Sequence, residues 1–443
     1  MKKIMLYIIV LAVLFAGCSV CELEPPPEET GKQNPASTND CVKIPTPTPE
    51  QLENKTQDLM QNVIGQSYKV KKPDDDSIDH MKKFSIDLFR RSYETEKNTL
   101  VSPLSVLIAL AMTANGANGE TLTQMEQVLG SGFSIHQTNM YCSYLLNEFS
   151  KEGQVKMTVA NSIWFRDVAN FTPKQYFLQK NADYYDASVY KAPFDDQTLA
   201  EINQWVSEKT NGMIENILDE IPADAMLYII NALAFEGTWK EAYSEHYIRN
   251  GVFTNYEGEK QSVKLMYSTE EQYLDDGSAT GFIKEYAGGQ YSFVALLPNE
   301  GVSLDDYVTS LTGDRFRNIL GTAKNENVSV AIPKFSYDYD VLLNQSLMEM
   351  GITDAFSPQL ADFSNMAEGA DGNLYIGRVI HKTFISVDEE GTKAGAATII
   401  EVPKNSATMT KPCMVHLTRP FVYAIVDNAT GIPVFMGTVV DLG

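Results

Sequence analysis

From about Ser77 to Gly443 the chain carries apolar patterning with no second linker, and the period of that pattern changes along the way. Early on, Met81, Phe84, Ile86, Leu88 and Phe89, then Leu104, Leu107, Ile108, Leu110 and Ala111, recur at helical spacing. Farther on, Tyr291–Leu297, Val328–Phe335, Thr383–Val387, Phe421–Val426 and Val434–Val440 alternate as strands do. Helices first and strands later, without regular strand–helix alternation, specify an α+β domain over residues 77–443 and exclude a doubly wound sheet. No internal repeat is visible.

Two segments precede this domain. Lys2 and Lys3 stand before an apolar run from Ile4 to Ala16, closed by Gly17 and Cys18. The run is too short to cross a hydrocarbon core of about 30 Å as a helix, and its basic start and small-residue end read as an export signal over residues 1–17. The Ala16-Gly17-Cys18 ending resembles a prokaryotic lipobox, with Phe15 where leucine is usual, which makes Cys18 the expected lipidated residue. Plain secretion and an uncleaved anchor are the alternatives. Residues 18–76 hold Pro25, Pro26, Pro27, Pro35, Pro45, Pro47 and Pro49 among polar residues, so an extended acidic tether is expected. Within it, Gln51–Val70 carries a weak helical pattern, and Cys21 and Cys41 could close a loop in an oxidising compartment. The protein is expected outside the cytoplasm, lipid-anchored at a cell surface or outer membrane, or secreted.

Charge and side-chain chemistry narrow the function. Lys+Arg 35 against Asp+Glu 58 gives a net charge of −23, which repels phosphate backbones and argues against a nucleic-acid partner. Neither the five cysteines nor the five histidines show metal-ligand spacing, so neither a metal nor a cofactor is expected. Cys142, in the apolar stretch Tyr141–Leu146, reads as a buried hydrophobe. A nucleophile elbow, a P-loop and a dinucleotide fingerprint are all missing.

The informative stretch begins at Asp388, where the strand Thr383–Val387 runs into Glu389, Glu390, Gly391, Thr392, Lys393, Ala394, Gly395, Ala396, Ala397 and Thr398. Small residues at this density bury little area and read as an exposed loop open to proteolysis. In a strand, however, Thr392, Ala394, Ala396 and Thr398 would share one compact, uncharged face, continued by Ile400 and Val402. Lys393 and Glu401 fall on the other face. Such a loop can enter an existing sheet.

In these residues the chain resembles the hinge of an inhibitory serpin. Similar motifs stand elsewhere in order: Asn98-Thr99-Leu100-Val101-Ser102-Pro103-Leu104-Ser105, Ala160-Asn161-Ser162-Ile163-Trp164, Asn231-Ala232-Leu233-Ala234-Phe235-Glu236-Gly237-Thr238-Trp239, Arg419-Pro420-Phe421 and Pro433-Val434-Phe435-Met436-Gly437. The resemblance implies the serpin fold, with helices packed on a large mixed five-stranded main sheet, two smaller sheets and an exposed reactive-centre loop over about 389–411. It implies a monomer that is not an enzyme but a suicide inhibitor of serine, and also cysteine, proteases, trapping the acyl-enzyme as the cleaved loop inserts. A non-inhibitory serpin acting as a surface binding or chaperone-like protein is the alternative. By motif, Ser102, Ser105, Asn231 and His381 correspond to the shutter where the main sheet parts, and Trp239 to the tryptophan at its top. Glu389 corresponds to a loop-base glutamate whose partner would be Lys334. Lys393 departs from the family's usual glutamate but lies on the outward face. Counting from Glu389 puts the scissile bond at Asn405–Ser406, a hinge one residue shorter gives Lys404–Asn405, and counting back from Arg419 lands near Met409.

Overall fold

The computed structural model describes residues 56–66, 68, 72–151, 153–168, 172–210, 212, 215–223, 225–368, 374–392 and 413–443. Cys18, Cys21, Cys41 and most of the expected tether lie outside the described residues, as do Ala394, Gly395, Ala396, Ala397, Thr398, Lys404, Asn405 and Ser406.

A short strand, β1 (Gln57–Asp58), precedes helix α1 (Asp75–Ser92). Asp74 caps α1 by accepting the Ser77 N–H, with Asp75 and Asp76 in the first turn and Arg90 and Arg91 in the last, each sign at the end of the helix dipole that favours it. After β2 (Thr99–Val101), Pro103 starts α2 (Pro103–Ala114), which is buried along its whole length. α3 (Gly119–Gly130) and α4 (Ile135–Phe149) follow, α4 closed by a reciprocal capping box between Ser134 and Gln137. Cys142 is fully buried in α4, and burial pushes its thiol up to about 12. Next come β3 (Val155–Arg166), β4 (Thr172–Pro173), α5 (Gln175–Tyr185), β5 (Ser188–Ala192), α6 (Asp196–Lys209) and β6 (Leu227–Thr238).

The later half is strand-rich. It holds β7 (Ile248–Thr254), β8 (Lys260–Asp275), β9 (Ala279–Glu285), β10 (Tyr291–Pro298), α7 (Leu304–Ser310), α8 (Gly313–Gly321), β11 (Lys324–Pro333) and β12 (Phe335–Leu342). α9 (Asn344–Met350), β13 (Ala367–Glu368), β14 (Arg378–Val387), β15 (Gly391–Thr392), β16 (Cys413–His416), β17 (Phe421–Asp427) and β18 (Pro433–Val439) complete it.

Five long strands form the main sheet in the order β5-β3-β6-β14-β12, as expected, with β1 added at one edge and β15 wedged between β6 and β14. The other strands differ in connection from two separate smaller sheets. The long strand β8 pairs with β7, β9 and β11, so these strands form one nine-stranded sheet, eight of them in a path from β16 to β2 with β7 paired to β8 off that path, beside a small β4–β13 pair. Every residue of β10 and β18 is buried, as suits strands covered on both faces, whereas β14 alternates strictly between half-buried and buried positions. α6 lies over the main sheet, its Ile202 and Val206 packed in a cluster with Trp164, Tyr228 and Ile230.

The boundary of the tether needs correction. The residues described from Thr56 onward are part of the folded body: Gln57 pairs with Lys191 on β5, the Leu59 amide donates to the Val189 carbonyl at 2.8 Å, and the Tyr68 ring stacks on Tyr184 at 5.1 Å. Among the described residues of Gln51–Val70 there is strand and turn, not helix. The physical reason is the open edge of β5, whose unpaired backbone groups accept a neighbouring strand.

Candidate functional site

Alternation along β14 delivers Val387 buried to the top of the main sheet, where the chain reverses. Asp388 builds the reversal: its Oδ1 accepts the amides of Glu390 at 2.9 Å and Gly391 at 3.2 Å, and its own amide donates to the Gly391 carbonyl at 3.0 Å. The returning strand β15 is antiparallel to both neighbours, Gly391 facing Thr238 and Thr392 facing both Gly237 and Val387. Below this wedge β6 and β14 pair directly and in parallel, Tyr228 with Arg378 through Asn231 with His381. The main sheet is thus parted at its top, where β15 enters, has no β6–β14 pairing over residues 232–236 and 382–386, and closes at Asn231 and His381. A strand continuing from β15 would replace a parallel seam by two antiparallel ladders, the pairing more stable per residue.

The wedge fits closely. A methyl on Gly391 would lie 2.1 Å from the Gly237 carbonyl oxygen, and one on Gly237 would meet the rings of Phe235 and Tyr286 at about 3.0 Å, so glycine stands at both positions because backbones approach there. Thr392 is only 2% exposed. Its hydroxyl lies 2.5 Å from that of Tyr286, beside a small gap lined by Phe235, Phe384, Ile385, Ile425 and Phe435. Thr392 thus faces inward, and Lys393 lies outside the described residues.

Trp239 holds the hinge from the β6 side. Its ring stacks on Tyr286 at 4.6 Å, its indole Nε1–H donates to the Asp388 carbonyl at 2.9 Å, and its amide donates to the Glu390 carbonyl at 2.8 Å. Lys334 pairs with Glu389, and the hydrogen bond from this ammonium, ahead of other causes, holds the Glu389 carboxyl below its ordinary range. Both side chains are about a third exposed, at 30% and 36%, so the pair is worth under about 1 kcal/mol. Lys334→Met is accordingly expected to shift the urea midpoint little at pH 7. A carboxyl with a depressed pKa stabilises above the unfolded value and loses that contribution as pH falls through its folded value, so the small difference should vanish in acid.

Lower down, His381 is 1% exposed and accepts the Ser102 amide on Nε2 at 2.9 Å, which places the ring proton on Nδ1. Burial drives its pKa down to about 4, so the ring is neutral at physiological pH. The Ser102 hydroxyl donates to the Val434 carbonyl at 2.8 Å, and Ser105 is fully buried one turn along α2. Asn231 of β6 stands opposite His381 in the register, at the last pair of the parallel seam. The structure therefore brings Ser102, His381 and the Asn231 backbone together at the seam, with Ser105 buried nearby in the chain on α2, and Trp239, Lys334, Glu389, Glu390, Gly391 and Thr392 together at the wedge. Beyond the loop the chain is picked up at β16, parallel to β11, Cys413 facing Val328. Among the described residues no group of three or more His, Cys, Asp or Glu could hold a metal ion.

Sequence reasoning overlooked Tyr286, Tyr243 and Lys284, all buried against Trp239 or the hinge. For Lys284 a signal existed: the period-2 pattern of Phe282, Lys284 and Tyr286 puts a lysine on the inward face.

A family model described as serpin (serine protease inhibitor) matches residues 79–442. The chain is a serpin. Human Serpin B9 is 32% identical to it over 353 residues, 77% of this chain and 92% of that one. The crystal structure of a thermophilic serpin, tengpin, in the native state superposes with a TM-score of 0.84 at 44% identity, covering 88% of this chain and all of that one. The latent-state structure of tengpin gives a TM-score of 0.76 at 43% identity, covering 84% of this chain and all of that one. The better agreement is thus with the native form, and in this serpin β6 and β14 still meet directly.

Proposed function

We propose that this serpin is an irreversible suicide-substrate inhibitor of serine endopeptidases, and of cysteine endopeptidases that attack the same loop. The observation that carries the reading is the two-residue wedge β15, already in register between two strands that pair in parallel below it, with Thr392 facing inward. A protease nucleophile would add to the carbonyl of the scissile residue, the peptide bond would break, and the amine would leave with a proton from the protease's own acid, giving an ester or thioester. The freed end of the loop would then follow Thr392 down the seam as a new strand and carry the attached protease with it. Compact, uncharged residues at Ala394, Ala396 and Thr398 suit the inward face of that strand. The serpin is an inhibitor on this reading and not a catalyst. Its acidic body, lipid-anchored through Cys18 and acting as a monomer, would protect a cell surface from trypsin-like or broad-range proteases.

The experiment mixes the full chain with trypsin, an elastase and a subtilisin, followed by denaturing gels and mass spectrometry. The expected result is a covalent species near the sum of both masses and a released peptide beginning at Asn405 or Ser406, which also fixes the bond after Lys404 or Asn405. Loop cleavage with protease activity fully retained, for all three enzymes, would overturn the inhibitory reading in favour of a substrate-type serpin.

A further inference from the structure

Below Trp239 lies a buried charge pair that the trapping mechanism just described does not use. Lys284, on β9, has 3% of its side chain exposed, and its Nζ is 2.8 Å from Oε1 of Glu270, whose side chain is 14% exposed. The ammonium also donates to the Glu241 carbonyl at 3.4 Å and faces the rings of Tyr243 at 4.6 Å and Trp239 at 5.4 Å. The Ser268 hydroxyl donates to Glu270 Oε1 at 2.6 Å and stands 3.2 Å from the Tyr243 hydroxyl. Burial alone would lower the Lys284 pKa, but Tyr243 and Glu270 outweigh it and the net shift is upward, so the lysine stays charged.

Desolvating such a pair is costly, and an apolar residue of the same size would fill the site with no charge to compensate. What the pair touches explains its presence. Glu241, Tyr243 and Trp239 belong to one short segment that leaves β6, and this segment supplies the amides of Trp239 and Tyr243 and the Trp239 indole to the carbonyls of Glu390, Glu389 and Asp388. Lys284 therefore fixes, from underneath, the piece of chain that grips the hinge from above.

We propose that the Lys284–Glu270 pair is a latch: it holds Trp239–Tyr243 against Asp388–Glu390 and so sets how readily the wedge advances down the seam. Lys284 is a positioning residue, and the consequence for trapping rests on the inhibitory reading given above. A firm latch keeps the loop outside the sheet until cleavage, and a weak one lets the loop enter without a protease.

The test uses the full chain with Lys284→Met, Lys284→Arg and the double change Lys284→Met with Glu270→Leu. The first readout is amide exchange in a peptide covering residues 239–243, with one covering β10 as reference. The second is the rate at which the protein, warmed without protease, becomes resistant to loop cleavage. With Lys284→Met, exchange in 239–243 is expected to rise about tenfold over the β10 reference and conversion to quicken comparably, as for the loss of a charge-assisted hydrogen bond. Lys284→Arg is expected to stay within about threefold of the parent. The double variant leaves no unpaired buried charge, so a folding defect is repaired in it while the latch stays missing. Exchange that remains fast in the double variant supports the latch. Parental exchange in Lys284→Met, or its return to the parental rate in the double variant, overturns it. A parent protein that traps no protease would remove the inhibitory reading, while exchange at 239–243 would still decide the latch.

Discussion

A chain carrying Thr392→Arg is expected to fold, to be cut in its loop by trypsin, and to hold no protease covalently. Thr392 is 2% exposed and its hydroxyl meets Tyr286 at 2.5 Å, so the replacement must either bury a guanidinium among Phe235, Ile425 and Phe435 or withdraw β15 from the sheet. Burying an unpaired charge costs several kcal/mol, so withdrawal wins. Because β15 is only two residues long and the seam below it is closed without it, the body loses little. Insertion, however, has to pass this residue first. A barrier raised by about 1.4 kcal/mol slows that step tenfold, and hydrolysis of the acyl-enzyme then competes ahead of it. The measurement is the number of serpin molecules consumed per trypsin inactivated, expected to rise by at least about tenfold over the parent. An arginine variant that traps trypsin as efficiently as the parent would sink the assignment of β15 as the leading end of the inserting strand.

The second large effect is a dependence on pH that His381 imposes on the seam. Its folded pKa of about 4 lies below the ordinary histidine value, so between about pH 6.5 and pH 4 the unfolded chain binds a proton that the folded chain refuses. Stability from the neutral ring is complete above pH 6.5 and lost as pH falls toward 4, up to about 3 kcal/mol in all. Glu389, Asp276 and other carboxyls also titrate in acid, so the contribution of His381 is read as a difference. At pH 7 the parent should exceed His381→Gln in urea resistance, and the gap should narrow by about 3 kcal/mol at pH 4. A gap that stays constant between pH 7 and pH 4 would mean that the ring is not held neutral by burial.

Much of this was legible in the amino acids, and what was not has identifiable causes. The inward position of Thr392 was legible from the sequence alternation of Thr392, Ala394, Ala396 and Thr398, and in β15 this threonine is 2% exposed. The strands Tyr291–Leu297, Phe421–Val426 and Val434–Val440 were readable as strands from their expected alternation, and they form β10, β17 and β18, although burial on both faces replaces that alternation in β10 and β18. The long strands β3 and β6 escaped notice. In Leu227–Thr238 small and polar residues interrupt the apolar ones, because one face of β6 meets α6 and the other the core below. The strand β1 could not be foreseen at all: its two residues dock through main-chain hydrogen bonds to an open edge, which leave no trace in side-chain pattern. Nor could the union of the smaller sheets, which depends on β8 being long enough to pair with different partners at its two ends.

The Asp388 turn has a further meaning, that of a ruler. It sets Gly391 opposite Thr238 and Thr392 opposite Gly237, so each residue added to the new strand steps back by one along β6. Across the other ladder Thr392 faces Val387, and the count again steps back by one. Carried forward without a slip, both counts bring Thr398 to rest between Asn231 and His381, where the parallel seam begins. On the proposed insertion, the residues up to Ala397 would spread only the part of the sheet that is not yet paired, and Thr398 would be the first to break an existing ladder. Inserting or deleting one residue between Gly391 and Thr398 would reverse which face meets the core and shift the point of first resistance by one position, so the length of this stretch is constrained as tightly as its composition.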